Sequence, residues 1–243
     1  MIIATVVFGD SIFGHMAEVL EYSVRQNCPD AEFVRIDLDP HEHIKGIPTH
    51  CPANAHKKQA WADVVHGNPD REIVLLDCDT LVLADLQHVF EMPFDVAYTV
   101  RDHRVRINAG VLFIRSTNAS RRFFDKWMSV QQTLLSEQER PHLHARLRKY
   151  AGLDQAALSV TLDAMDFPLS TIELPCEIYN SVDQTWAAFS EQTKILHVKG
   201  RLRRAAVIEN ADPSKHPSFS VPLQVWREYA ALAHNQGVNY VTT

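Results

Sequence analysis

The sequence predicts an α/β fold with a mostly parallel central sheet and helices on both of its faces. Segments with the apolar pattern of strands alternate with helix-type segments in the first part of the 243-residue chain, which is typical of such sheets. Residues 2–8 form a continuous apolar run, as expected of a strand that is covered on both faces. With 46% hydrophobic and 22% charged residues, the chain has enough apolar side chains for a sizeable core.

The individual elements follow from hydrophobic periodicity and from turn residues. Strands are predicted at residues 2–8, 32–36, 73–76, 80–83, 95–100, 107–114 and 194–198. Helices are predicted at residues 12–26, 55–66, 118–136, 153–162 and 223–234, and Asn118 is the expected N-cap of the third. The polar stretches 37–52 and 137–149 are predicted to be irregular, and residues 213–222 to be a linker. We assign residues 1–205 to one domain, to which residues 206–243 append a linker and a C-terminal helix.

Composition excludes several classes of function. The net charge of -6 and the lack of a long Lys/Arg run argue against nucleic-acid binding. The longest apolar stretch, residues 1–8, is too short to span a bilayer and lacks the features of a signal peptide, so we expect no transmembrane segment. The four cysteines have no paired spacing, so we expect a reduced, cytoplasmic protein. No glycine-rich phosphate loop is present in the sequence, so other groups must hold any nucleotide.

Two carboxylates, Asp77 and Asp79, interrupt the apolar run of residues 73–82. Burying an unpaired carboxylate is costly, so something must compensate its charge. Residues i and i+2 of an extended chain point to the same side, so both carboxylates can bind one divalent cation at the carboxyl end of the strand. Alternatively, one aspartate caps the following element and the other is solvated. A phosphatase of the haloacid-dehalogenase class is a chemical alternative, but the glycine of its Asp-x-Asp-Gly-Thr pattern is missing before Thr80.

Further motifs follow the acidic pair along the chain. They are Asn108-Ala109-Gly110-Val111, Asp154-Gln155, Leu174-Pro175 with Tyr179-Asn180, and His197-x-x-Gly200. In this order, together with Asp77-Cys78-Asp79, they resemble the motifs of glycogenin-like family 8 glycosyltransferases over residues 1–205. The resemblance implies the GT-A fold of nucleotide-diphospho-sugar transferases. It also implies a retaining transfer of a hexose, with glucose or galactose as first candidates, from a UDP-sugar to a carbohydrate or other small acceptor.

The resemblance implies roles for individual residues as well. Asp77, Asp79 and His197 would be the ligands of a metal ion; two carboxylates and an imidazole suit Mn²⁺, and Mg²⁺ is the second candidate. Asp154 and Gln155 would face the donor sugar as catalytic residues, with Asp154 stabilising the oxocarbenium-like charge. Besides the metal ligands, the residues expected to bind the donor are Phe8, Gly9, Asp10, Lys57, Cys78, Asn108, Ala109, Gly200 and Arg203.

The chain departs from the family pattern at one place. Family members often carry Lys-Pro-Trp after the His-x-x-Gly element, and this chain has Arg203-Arg204-Ala205. Arg203 keeps the positive charge of the lysine, but the Pro-Trp pair is missing. An alternative is therefore that the chain is a catalytically silent module that binds a nucleotide sugar or a carbohydrate. The basic residues within 101–106 and 137–149 are interpreted as solvated loops, with acceptor binding as the alternative. His41-Glu42-His43 lacks the spacing of a structural zinc site.

Overall fold

The computed structural model of the chain describes residues 1–8, 11–38 and 50–238. Its strands are β1 (Ile2–Phe8), β2 (Glu32–Leu38), β3 (Glu72–Asp77), β4 (Thr80–Val82), β5 (Val96–Val100), β6 (Ile107–Arg115), β7 (Thr171–Pro175) and β8 (Ile195–His197). Its α-helices are α1 (Ser11–Asn27), α2 (His50–Gly67), α3 (Asn118–Leu135), α4 (Arg140–Tyr150), α5 (Leu153–Asp163), α6 (Cys176–Tyr179), α7 (Gly200–Arg203) and α8 (Ser220–Val238). Short 3₁₀ turns occur at Gln87–Glu91, Trp186–Ala188 and Pro213–Lys215, and a π-helical turn at Arg204–Ile208.

The central sheet has six strands in the order β2-β1-β3-β6-β5-β7. Strand β6 runs antiparallel to β3 and β5, while the β1–β2, β1–β3 and β5–β7 pairs are parallel. Five strands therefore share one direction, which confirms the prediction of a mostly parallel sheet. Strands β4 and β8 form a separate antiparallel ribbon, and two residues separate the end of β3 from the start of β4. The carboxyl ends of β1, β3, β5 and β7 lie at one edge of the sheet, where ligands of such folds bind.

Both faces of the central sheet are covered by helices, as predicted. Side chains alternate along a strand, so Ile2 points to one face of the sheet and Ile3 to the other. Ile2 packs in a cluster with α2, α3 and α5, which contribute Trp61, Trp127 and Leu158. Ile3 belongs to the opposite cluster, which contains residues of α1 and of the turn Gln87–Glu91. The continuous apolar run of β1 is thus the consequence of burial on both faces.

The C-terminal helix packs onto the same body. Leu223 and Trp226 of α8 are buried against Met16 and Val19 of α1 and against Leu196 of β8. The assignment of residues 206–243 as a linker and C-terminal helix appended to the same domain remains a prediction. None of the helices in the described ranges is long and apolar enough to cross a membrane. All four cysteines are buried and free.

Several local predictions were wrong. Residues 140–150 form helix α4, whose apolar positions are too few to give a periodic signal: Leu143 is buried and Leu147 only partly. Strand β7 was missed because it is an edge strand that buries only Leu174 and ends in a proline. The cap of α3 is Thr117, whose side chain accepts from the Ser120 amide, rather than Asn118. Helix α2 begins at residue 50, inside the stretch predicted to be irregular, of which residues 39–49 lie outside the described ranges.

Candidate active site at the carboxyl edge of the sheet

The two carboxylates of the acidic pair lie in the short connection between β3 and β4. Asp77 is the last residue of β3, and the hydroxyl of Thr80 donates to its carbonyl oxygen at 2.8 Å, which holds the turn. Strand β4 then pairs with β8 so that Thr80 lies opposite His197. The amide of Val198 also donates to the carbonyl of Asp79 at 2.7 Å. Strand pairing therefore brings the imidazole of His197 to the acidic pair.

Asp77, Asp79 and His197 form a compact group of metal-ligating side chains. His197 Nε2 lies 3.1 Å from Asp79 Oδ1 and 3.7 Å from Asp77 Oδ2, and the three candidate ligand atoms all lie within 4.8 Å of one another. Neighbouring ligands of an octahedral ion with bonds of ~2.1 Å are ~3 Å apart. The group therefore fits a divalent cation in both donor chemistry and spacing.

A chain of hydrogen bonds fixes the orientation of the imidazole. His197 Nδ1 lies 2.9 Å from Asn180 Oδ1, an acceptor, so Nδ1 donates to Asn180 and Nε2 is the ring nitrogen that faces the two carboxylates. Asn180 in turn donates to Thr99 Oγ1 at 2.7 Å, and Thr99 donates to the carbonyl of Asn108 at 2.9 Å. Metal-bound histidines are commonly held through their second nitrogen in this way.

The site has no room for a side chain at position 110. A Cβ atom built on Gly110 would lie 2.6 Å from His197 Cε1 and 2.9 Å from Asp77 Oδ2. Gly110 lies in β6, the strand next to β3 in the sheet. The glycine of the Asn-Ala-Gly-Val motif thus allows the imidazole and the Asp77 carboxylate to approach the backbone of β6.

Arg203 supplies a cation to the same group. Its Nη1 donates to Asp79 Oδ2 at 3.2 Å. Burial alone would raise the pKa of Asp79, but the neighbouring His197 and Arg203 outweigh that effect and lower the pKa to about 2. Asp79 is therefore a carboxylate at neutral pH, as a ligand for a hard cation must be.

A second cluster of charges lies behind the acidic pair. Lys57 Nζ bridges two carboxylates, at 2.9 Å from Asp77 Oδ1 and 2.7 Å from Asp154 Oδ2. Lys58 Nζ lies 3.5 Å from the same Asp154 oxygen. Burial would raise the pKa of Asp154, but the two lysines outweigh it and lower that pKa. The pKa of Lys58 is lowered to about 7, because burial and the neighbouring Lys57 lower it more than Asp154 raises it.

Asp154 and Gln155 lie in the first turn of α5, at the end of a strained connection. Ala151 adopts a left-handed conformation, and Gly152 has a φ of 135°, a region that essentially only glycine adopts. Gln155 Nε2 donates to the carbonyls of Tyr150 and Ala151, at 3.0 and 2.8 Å. These bonds fasten the Gln155 amide to the end of α4.

A cavity of about 400 Å³ joins these groups. Its lining includes all three members of the metal-type triad, together with Asn54, Asn108, Ala109, Gly110, Ala151, Gly152, Asp154, Gln155, Lys199, Gly200 and Arg203. Three buried polar atoms of these side chains have no hydrogen-bond partner within the described residues: Asn108 Nδ2, Asp154 Oδ1 and Gln155 Oε1. Because buried polar atoms are normally paired, these three side chains of the cavity wall are candidates for hydrogen bonds to a polar ligand.

Most of the residues proposed from the sequence meet at this cavity, but not all do. Lys57 is absent from the lining, because its ammonium is held between two carboxylates. Cys78 is buried against the apolar cluster of α1, and Phe8, at the end of β1, packs on the core cluster of α2. Gly9 and Asp10 lie outside the described residues.

Among the polar and charged residues at or behind the site, Asn54, Lys58, Asn180 and Lys199 were given no role from the sequence. Asn180 belongs to the Tyr179-Asn180 motif, so the sequence could have indicated a role for it at the site. Lys199 follows His197 by two positions and could have been noticed for its charge. Lys58 gave no signal, because a lysine on a helix is normally exposed.

Comparisons with known proteins agree with this arrangement. A family model described as nucleotide-diphospho-sugar transferase matches residues 69–198, more than half of the chain. No curated protein matches the chain significantly.

Solved structures of glycosyltransferases are similar in fold. The galactosyltransferase LgtC, in complex with donor and acceptor sugar analogues, is 14% identical, with a TM-score of 0.56 and a match covering 95% of each chain. The apo form of GlyE from Streptococcus pneumoniae TIGR4 is 18% identical, with a TM-score of 0.55, over 99% of this chain and 64% of that one. A glycosyltransferase involved in glycosylation of the major capsid of PBCV-1 is 11% identical, with a TM-score of 0.53, over 82% of this chain and 96% of that one. These likenesses confirm the expected GT-A fold.

Proposed function

The chain belongs to the nucleotide-diphospho-sugar transferase family, and we propose that it is a metal-dependent, retaining enzyme that moves a hexose from a UDP-sugar to a carbohydrate or other small acceptor. The observation that carries the proposal is the convergence on one cavity of the Asp77-Asp79-His197 triad and of three side chains that each have an unpartnered polar atom within the described residues. Glucose and galactose are the first candidates for the sugar. The cytoplasmic location expected from the sequence stays a prediction.

The triad would hold the divalent ion, with Mn²⁺ as the first candidate and Mg²⁺ as the second. Two carboxylates and one imidazole are a mixed set that suits Mn²⁺ better than Ca²⁺. Bound there, the ion would supply Lewis-acid stabilisation of the leaving diphosphate.

Cationic side chains of α7 and of the residue before it support diphosphate binding. Arg203 reaches Asp79, and both Arg203 and Lys199 line the cavity. Lys199 has no ion pair or side-chain hydrogen bond within the described residues. We assign the diphosphate oxygens to Arg203 and Lys199, and Lys57 to the support of Asp77 and Asp154.

The sugar would occupy the part of the cavity next to α5. A hexose carries hydroxyl groups that both donate and accept, and Asn108 Nδ2, Asp154 Oδ1 and Gln155 Oε1 offer one donor and two acceptors. Burial would raise the pKa of Asp154, but its two lysine partners lower it, so the carboxylate is ionised and would place negative charge next to the sugar. That charge would stabilise the positive charge that develops on the sugar ring in the transition state.

The bond between the anomeric carbon and the β-phosphate oxygen breaks, and its electron pair leaves with UDP. The acceptor hydroxyl forms a new bond to the anomeric carbon and releases its proton to a phosphate oxygen or to solvent. Retention requires that the new bond have the same configuration as the old one.

The first experiment measures thermal stability with UDP in the presence of Mn²⁺, Mg²⁺ or EDTA. A ligand that binds only the folded state at 100 times its Kd adds ~2.7 kcal/mol, which corresponds to a rise in Tm of ~5–10 °C for a chain of this size. We expect the rise with Mn²⁺, a smaller one with Mg²⁺ and none with EDTA. It should be lost in Asp79→Ala and kept in Asp125→Ala, whose carboxylate is exposed on α3. No rise with any nucleoside diphosphate would refute the proposed donor site.

A turnover assay distinguishes the proposed enzyme from the alternative function, a catalytically silent binding module. The departure Arg203-Arg204-Ala205 is the observation that favours the module: Arg203 keeps a contact to Asp79, but Arg204 is exposed and pairs with Glu209. Release of UDP from UDP-glucose or UDP-galactose, with water or an added sugar as acceptor, would support the enzyme. A UDP-dependent rise in Tm without turnover of any UDP-sugar would favour the module.

Loss of the Asn180 amide is expected to weaken metal binding. Asn180→Ala removes the acceptor that holds His197 Nδ1, so the imidazole can rotate away from Asp79. Changes to such supporting residues typically weaken metal affinity ~10–100-fold. Titration calorimetry with Mn²⁺ in the presence of UDP measures the effect, with Asn118→Ala on the surface of α3 as the control. An unchanged Mn²⁺ affinity in Asn180→Ala would contradict the role of Asn180 in holding His197 for the metal.

A further inference from the structure

Lys58 is a lysine with no exposed surface. Its relative accessibility is 0%, and it lies on α2, one residue after Lys57. Its Nζ is 3.5 Å from the ring centroid of Trp61 and 5.0 Å from that of Trp127, so the ammonium lies between an indole of α2 and one of α3. Cation–π contacts compensate part of the cost of burying the charge.

The polar contacts of Lys58 lead to the cavity. Nζ lies 3.5 Å from Asp154 Oδ2 and 3.5 Å from the carbonyl oxygen of Ala109. Asp154 and Ala109 both line the cavity, while Lys58 does not. Lys58 therefore connects α2 to α5 and β6 from behind the cavity wall.

Neither packing nor simple charge pairing explains a lysine at this position. An unbranched apolar side chain such as methionine would fill the space between two indoles without the cost of burying an ammonium. Asp154 already has a cation, because Lys57 Nζ lies 2.7 Å from the same oxygen. Lys57, however, is shared with Asp77, a proposed metal ligand, so its position depends on both carboxylates.

We propose that Lys58 is a positioning residue for Asp154. Together with Lys57 it holds Oδ2 from behind the cavity, so that Oδ1, which has no partner within the described residues, stays directed at the donor sugar. Because Lys58 does not contact Asp77, it keeps Asp154 in place when Asp77 binds the metal. The inference rests on the proposed function, since it assigns Asp154 to the sugar of the donor.

The test compares Lys58→Met with the wild type in hydrolysis of UDP-glucose and UDP-galactose, followed by UDP release. We expect kcat to fall ~10–100-fold and the KM for the UDP-sugar to change less than ~2-fold, because diphosphate and metal contacts remain. We expect the Tm to stay within ~2 °C of the wild type or to rise, since an apolar side chain replaces a buried ammonium. Lys126→Met, on the outside of α3, is the matched control and should leave kcat unchanged.

A second measurement needs no turnover. The ¹³C signal of the Asp154 carboxyl, assigned by its loss in Asp154→Asn, reports protonation of that group in the protein without ligands. We expect Asp154 to protonate at higher pH in Lys58→Met than in the wild type, and at unchanged pH in Lys126→Met.

The kinetic measurement and the Asp154 titration distinguish a failure of the positioning role from a failure of the proposed function. A lower Tm with unchanged kcat in Lys58→Met, or an unchanged Asp154 titration, would overturn the positioning role. If the wild type turned over no UDP-sugar, the proposed function would fail instead, and the Asp154 titration would still decide whether Lys58 holds that carboxylate.

Discussion

Asp154→Ala is expected to lower the free energy of unfolding by ~3–5 kcal/mol, because it leaves buried lysines without their carboxylate. Lys57 would keep Asp77 as a partner, but Lys58 would lose its only ion pair within the described residues. We also expect transfer to fall by ~10³-fold or more, because the charge that faces the developing oxocarbenium ion is removed. Denaturant unfolding measures the first effect and UDP release the second.

A second substitution shows whether the two lysines cause the instability. Asp154→Ala combined with Lys58→Met removes one buried amine that has lost its partner, so the double variant should be more stable than Asp154→Ala alone. Asp154→Asn keeps the shape of the side chain but not its charge, and should lose transfer while losing less stability. Equal stability of Asp154→Ala and the wild type would contradict the ion pairs described for this cluster.

Gly110→Ala is expected to abolish metal binding and to lower transfer by ~10³-fold or more, because one methyl group displaces two members of the triad. Its Cβ would lie 2.6 Å from His197 Cε1 and 2.9 Å from Asp77 Oδ2. His197 cannot simply move aside, since the ring is buried and held by Asn180. We expect a cost in stability of ~1–3 kcal/mol, which is typical of an overpacked site.

Mn²⁺ titration, UDP release and denaturant unfolding measure these effects. Gly67→Ala is the matched control, because a Cβ at Gly67, the last residue of α2, would meet no atom within 4 Å. Wild-type Mn²⁺ affinity in Gly110→Ala would show that the ion is not held by Asp77 and His197.

Much of this protein could be predicted from its sequence, because burial and short-range geometry leave local patterns. The apolar run of β1 predicted a strand covered on both faces, which the core clusters confirm. Asp77 and Asp79 could be paired because they are two residues apart in an extended segment, where side chains point to the same side. The order of the motifs indicated the family, and the family model and the fold confirm it. The donor, the metal ion and the role of each site residue remain proposals.

Only the tertiary structure decided which distant side chains meet. Arg203 reaches Asp79 across 124 positions of sequence, and His197 meets the acidic pair because β8 pairs with β4 in one register. The partners of Lys57 and Lys58 could not be predicted from the sequence either. Both lysines lie on α2, but their partners lie on α5, β3 and β6. The physical reason is that local patterns record whether a side chain is buried, whereas the identity of its neighbours depends on strand pairing and helix packing between remote segments. The local sequence therefore does not distinguish a lysine that is buried between two indoles from a lysine that is exposed to solvent.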